Sequence, residues 1–187
     1  TVDRLSSMEL PKTGWTALAR RYAFDRLIAM GLPARRDEYW KYTRPDTLTS
    51  ADMPQAAVHK DSEGPIFDSL DCHKLVFVDG IYSEALSDGL CGDGITLELL
   101  SLKSDVDIHW AKGLYGSLER KGQNPVARPL AALNSAFAQE GILLHVTKTP
   151  PKPISLHYVQ DCTKSDVILH HVVKVDEGAS VTILESG

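Results

Sequence analysis

Four strand-like runs near the end of this 187-residue chain start at almost even intervals, and that rhythm limits the folds open to it. ILLHVTK begins at Ile142, ISLHYVQ at Ile154, VILHHVVKV at Val167 and SVTILES at Ser180, so successive starts lie 12, 13 and 13 residues apart. The gaps carry TPPKP, DCTKSD and DEGA, whose proline, glycine and short polar side chains favour turns. Short strands at such a period build either an antiparallel meander or the rungs of a parallel β-solenoid. The β-branched residues Val172, Val173 and Val175 suit a surface covered on both faces, which favours the solenoid.

A helix leads into this ladder. In PLAALNSAFAQE, Leu130, Leu133, Ala136 and Phe137 recur at spacings of three and four, which predicts a short helix from Pro129 with Gly141 as its left-handed terminator. A second helix is predicted over residues 14–30, with Trp15, Leu18, Tyr22, Leu27 and Ile28 as its buried stripe and Arg20, Arg21, Asp25 and Arg26 off it. Gly31 ends the run and Pro33 prevents its continuation.

Between the helices the signals are mixed. Residues 49–70 are rich in Ser, Asp, Pro and Gly and mark a linker. KLVFVDGIYSEAL predicts a hairpin turning at Asp79 and Gly80, residues that tolerate positive φ. ITLELLSL predicts a strand with Ile95, Leu97 and Leu99 on one face. The glycine-rich GLCGDG, Gly89 to Gly94, precedes a strand rather than opening a helix and lacks a GKS or GKT ending, so it predicts a turn and not a phosphate loop. Residues 105–122 predict a helix interrupted at Gly113 and Gly116, with Asp105 and Asp107 near its start and Arg120 and Lys121 near its end.

Composition narrows the function classes. Hydrophobic content of 43% and charged content of 24% are those of a soluble domain, and a net charge of −5 gives no electrostatic ground for nucleic acid. Basic and aromatic residues do alternate in ARRDEYWKYTRPDTL, but Asp37 and Glu38 sit inside that patch and would repel a phosphate backbone. No apolar run approaches the ~18 residues of a membrane span, and TVDRLSSMEL is not built like a secretion signal. Thr1 in place of an initiator Met fits a processed or internal start. Cys72, Cys91 and Cys162 are an odd, scattered set, which fits a reducing cytoplasm.

The residues show no active site. Four of the seven histidines, His145, His157, His170 and His171, fall in the ladder. His170 and His171 are adjacent, and adjacent strand residues face opposite ways, so the pair cannot converge on one ion. His145 and His157 would share a face only if their strands were neighbours, and no HxH spacing or nearby carboxylate completes a ligand set. There is no GxSxG elbow. Glu140, Asp161, Asp176, Glu177 and Glu185 fall mostly in turns, where solvated carboxylates belong. Catalytic, cofactor-binding and metal-ligating residues are therefore assigned as none.

Several stretches together resemble the SufB/SufD family of iron–sulfur cluster assembly proteins. The most specific is RRDEYWKYT at Arg35 to Thr43; LVFVDGIYSEALS at Leu75 to Ser87, PLAALNSAFAQEGILLHV at Pro129 to Val146, PISLHY at Pro153 to Tyr158 and VVKVDEGASVTILES at Val172 to Ser186 follow in family order. The quick passage from WKYT into the core pattern favours the SufD side of the family. The resemblance implies an α+β chain. By that resemblance residues 1–70 are expected to form a mainly helical region with a linker, and residues 71–187 the first rungs of a right-handed parallel β-helix with a helical insertion at about 105–140. It also implies a non-catalytic scaffold subunit joining SufB and the ATPase SufC. The resemblance further implies an iron–sulfur cluster held transiently on the complete complex, with no cofactor expected on this chain. The family's cluster-building and SufC-contacting segments lie beyond Gly187, so no ligand is carried over. An open rung near Val181 to Glu185 would be covered by a second copy of the chain or by crystal neighbours. Two other functions compete: a metal-dependent or polysaccharide-acting enzyme on a β-solenoid or barrel, and a plain interaction module built on the first helix and the Arg35 to Thr43 element.

Overall fold

Residues 2–34, 40–51, 66–103, 105–106, 109–163 and 166–187 are described by the computed structural model. Arg35 to Tyr39 of the RRDEYWKYT element, most of the 49–70 linker, and Asp107 lie outside the described residues. In chain order the elements are α1 (Val2–Ser6), α2 (Ala17–Met30), α3 (Asp46–Thr49), β1 (His73–Val78), β2 (Ile81–Tyr82), β3 (Cys91–Gly92), β4 (Ile95–Leu99), α4 (Leu100–Lys103), α5 (Ser117–Gly122), α6 (Pro129–Phe137), β5 (Ile142–Val146), β6 (Ile154–Val159), β7 (Val172–Val175) and β8 (Ile183–Ser186). The fold is mixed α+β. One unit combines Thr1–Pro54 with Ser104–Gln139, and a second combines Gln55–Lys103 with Glu140–Gly187.

In the first unit α2 packs on α6, with the Phe24 and Phe137 rings edge to face at 5.9 Å. Of the predicted stripe Trp15 and Leu27 are buried, but the rest of the buried face is not the one the apolar residues predict. Thr16, Arg20, Ala23 and Leu27 point inward, while Leu18, Tyr22 and Ile28 are exposed. Their spacing of four, three and four is as helical as the predicted stripe, and what decides between the two is a polar anchor. Arg20 is 1% exposed. Its Nε donates to Thr16 Oγ1 at 2.9 Å and its Nη1 to the Ala136 carbonyl at 3.1 Å, and its guanidinium lies 5.1 Å from the Tyr115 ring centroid. Tyr115 in turn donates its hydroxyl to the Ser135 carbonyl at 2.9 Å. Burial lowers the Arg20 pKa and pushes that of Tyr115 up to about 12.

The predicted interrupted helix resolves into a 3₁₀ turn over Trp110–Gly113 and α5, separated by Gly116 at φ 67°. α6 ends at Ala138, whose N–H donates to Asn134, so Gly141 is not its terminator.

The second unit holds two four-stranded sheets, ordered β2-β1-β6-β8 and β3-β4-β5-β7. The predicted β1–β2 hairpin is present, with Asp79 and Gly80 at φ 49° and 80°. The Asp79 carboxylate accepts the backbone N–H groups of Asp161 and Cys162, each at 3.0 Å, tying the ends of β1 and β6. GLCGDG is the tight β3–β4 hairpin, as its glycines predict. Alternate residues Leu75 and Phe77, Ile95, Leu97 and Leu99, Ile142, Leu144 and Val146, and Ile154 and Leu156 meet in one core. Each such side chain contributes about 1.5–3 kcal/mol by leaving water.

Consecutive ladder runs alternate between the sheets, which rules out the meander. β5 pairs parallel with β7 and β6 with β8. Leu143 lies opposite Val172, Ile154 opposite Ile183 and Glu140 opposite Leu169, each pair 29 residues apart. β4 meets β5 antiparallel, and both sheets are open. The last two strands start at Val172 and Ile183 rather than at Val167 and Ser180, because the segments before them serve as bridges and core-facing loops. Val172 is buried, but Val173 and Val175 are 40% and 42% exposed, so their β-branching does not report a covered face.

Candidate functional site

The histidines of the ladder do not converge; each is taken up by a different neighbour. β5 and β6 lie in different sheets, so His145 and His157 are not on adjacent strands. His145 Nε2 pairs with Asp176 Oδ1 at 2.9 Å, and Lys174 approaches the same oxygen at 3.2 Å. These two contacts hold the Asp176 carboxyl below its usual pKa. His157 Nδ1 meets Ser186 Oγ at 3.0 Å, across the β6–β8 pair. The carbonyl of His170 stands against Gly141, where a Cβ would come within 2.1 Å of it. The backbone N–H of His170 donates to the Glu140 carbonyl at 3.0 Å.

His171 organises an extended polar chain in the second unit. The Ile142 N–H donates to its Nδ1 at 3.0 Å, which fixes the ring proton on Nε2. Nε2 then donates to the Tyr158 hydroxyl at 3.1 Å, and that hydroxyl donates to Glu185 Oε1 at 2.7 Å. Phe77 closes the side, its ring 5.5 Å from that of His171 and 6.0 Å from that of Tyr158. Burial lowers the His171 pKa to about 4, partly opposed by Glu185, and burial with the Glu185 bond raises that of Tyr158. The relay thus runs in one direction, from a core amide to a surface carboxylate.

What this arrangement does chemically is bind strands together. Both nitrogens of His171 are engaged, one by a proton donor, so the ring has no lone pair to offer an ion. Among the described residues no group of three or more His, Cys, Asp or Glu side chains is placed to hold a metal. Half-buried Cys72 and exposed Cys91 and Cys162 form no disulfide. Among the carboxylates expected in turns, Glu185 instead belongs to β8, and Glu140 is half-buried with its pKa raised by desolvation. Sequence reasoning missed Tyr158 and Glu185. Their partnership joins residues 27 apart in sequence on two strands that meet side by side, which no local pattern reveals.

Comparison with known proteins follows the same segments. A family model described as the SufBD protein N-terminal region matches residues 12–154. The iron–sulfur cluster assembly protein SufD of Escherichia coli strain K12 is 27% identical over 176 residues, covering 86% of this chain. The match spans 36% of that relative's length.

Proposed function

Because this chain belongs to the SufBD family, we propose that it serves as a SufD-like subunit of the SUF iron–sulfur cluster assembly machinery, a scaffold acting through protein contacts rather than by turnover. The observation that carries the reading is the family match over residues 12–154, joined to an identity with SufD that extends across most of the chain. The partners are SufB and the ATPase SufC, and the cluster is cargo built on the complete complex.

The fold reading goes one step further as well. Parallel stacking at a constant offset of 29 residues, in both sheets and at the Glu140–Leu169 bridge, supports the opening coils of a right-handed parallel β-helix. Each coil then repeats the face of the previous one, which gives a scaffold long, regular surfaces for docking. That Cys72, Cys91 and Cys162 form no disulfide supports work in the reducing cytoplasm.

Co-purification tests this directly. The full-length protein, tagged and expressed at native level, should bring down SufB and SufC in fixed stoichiometry. Recovery of SufB and SufC with each other but never with this protein would contradict the assignment.

A further inference from the structure

On the first unit lies a cleft of about 220 Å³ between α2 and the Trp110–Ser117 segment. Leu18 and Tyr22 form its open apolar wall, 62% and 53% exposed. Arg26, Lys112 and Arg120 are the charged residues of the lining, which contains no carboxylate.

The three cations are not equivalent. Arg26 is spent on Glu119: its Nε donates to Oε1 at 3.2 Å and its Nη2 pairs with Oε2, and the Glu119 side chain is 5% exposed. Lys112 and Arg120 form no ion pair among the described residues, although the chain as a whole carries a net charge of −5. An acidic protein has therefore left two uncompensated cations beside an uncovered apolar wall.

We propose that this cleft docks an acidic protein segment, one large apolar side chain of which enters between Leu18 and Tyr22 while flanking carboxylates pair with Lys112 and Arg120. The volume favours this occupant. Small-molecule sites usually enclose about 300–1,000 Å³, whereas this cleft has room for a single anchor residue of the kind that dominates protein interfaces. Of the three aromatic rings of the lining only Tyr22 is open, too few to stack successive bases of a nucleic acid. Trp15 and Tyr115 are each 3% exposed, and Trp15 is stacked at 4.7 Å on His109, so neither face is open to a base. Charge opposite to the rim sets the partner's sign and makes its association salt-dependent. The inference stands on the cleft and does not depend on the assembly role proposed above.

The test is selection of peptides from a displayed random library on the whole protein, followed by fluorescence polarisation with the best peptide. Enriched sequences should share one large apolar residue flanked by Asp or Glu. Binding should weaken at least tenfold in Leu18→Arg and in the double variant Lys112→Glu, Arg120→Glu, and should fall between 50 and 300 mM salt. Circular dichroism and melting of these surface variants should match the parent. Enrichment without acidic residues, no enrichment at all, binding that survives both variants, or displacement of the peptide by a single-stranded oligonucleotide would each overturn the proposal. So would a dimer in light scattering that dissociates in the charge-reversed variant, since the occupant would then be a second copy of this chain.

Discussion

The His171 Nε2 lies 3.1 Å from the Tyr158 hydroxyl, and through it the backbone at the start of β5 is joined to Glu185 on β8. Burial depresses the His171 pKa from 6.5 to about 4. The unfolded chain takes up this proton at a higher pH than the folded one. The stability contributed by the neutral ring is therefore complete above pH 6.5 and is lost as the pH falls toward 4. The loss is up to roughly 3 kcal/mol, since each pKa unit corresponds to about 1.4 kcal/mol. Urea unfolding at pH 7, 5.5 and 4.5 measures it. His171→Leu should cost about 2–4 kcal/mol at pH 7 by orphaning the Ile142 N–H and removing the bond that His171 Nε2 donates to the Tyr158 hydroxyl, which keeps its own bond to Glu185, and should flatten the fall below pH 6.5. An equally steep fall in the variant would assign the pH dependence elsewhere.

Arg20 is expected to behave as a core residue. Arg20→Ala removes the hydrogen bonds to Thr16 and Ala136 and the contact with Tyr115, and should destabilise by about 2–4 kcal/mol. Arg20→Lys keeps the charge but not the planar fork, and should still cost more than about 1 kcal/mol. Exposed Arg21, paired with Asp25 one turn on, is the control, and Arg21→Ala should change stability by less than about 0.5 kcal/mol. Equal effects at positions 20 and 21 in denaturant titrations would place Arg20 at the surface.

Gly141 and Gly178 both have positive φ, at 150° and 79°, but only Gly141 is crowded. A Cβ there would stand 2.1 Å from the His170 carbonyl oxygen, whereas at Gly178 it would meet nothing within 4 Å. Gly141→Ala should therefore cost roughly 3 kcal/mol or more, and Gly178→Ala only the ~1–2 kcal/mol of a left-handed residue. Melting curves of the two variants side by side decide the matter, and similar losses would mean that the β5 entry is not packed against His170.

The 29-residue register can be trapped chemically. His145 and Lys174 are opposite each other on β5 and β7. With Cys72, Cys91 and Cys162 changed to serine, His145→Cys and Lys174→Cys should oxidise to a disulfide under mild conditions, since paired strands bring Cα atoms within bridging distance. His145→Cys with Val173→Cys, which places the thiols on opposite faces, should not. The reverse result would move the register by one residue.

Much of this fold can be read locally, and the failures share a cause. The Asp79–Gly80 hairpin, the Gly31 terminator and the inward alternation of Ile95, Leu97 and Leu99 follow from backbone preference and strand period alone. Arg20 could not be placed inside by counting apolar residues, because its burial rests on an acceptor 116 residues away, the Ala136 carbonyl. Thr16, one turn before Arg20, was the available signal. Gly141 reads as a helix terminator until the opposing His170 carbonyl is known, and Val173 and Val175 carry strand propensity on an exposed edge. The candidate site was the least readable part. Its relay needs β6 and β8 in register, and register across a crossover is a tertiary property.

The scaffold assignment meets its most direct test in cluster formation by purified components. Full-length protein is mixed with SufB and SufC, ATP, ferrous iron and a sulfide source, and the growth of cluster absorbance is followed with each component omitted in turn. The account expects cluster to accumulate only when this protein is present, while the protein alone neither hydrolyses ATP nor retains iron. Cluster formation at an undiminished rate without it, or ATP hydrolysis by the protein alone, would contradict the account.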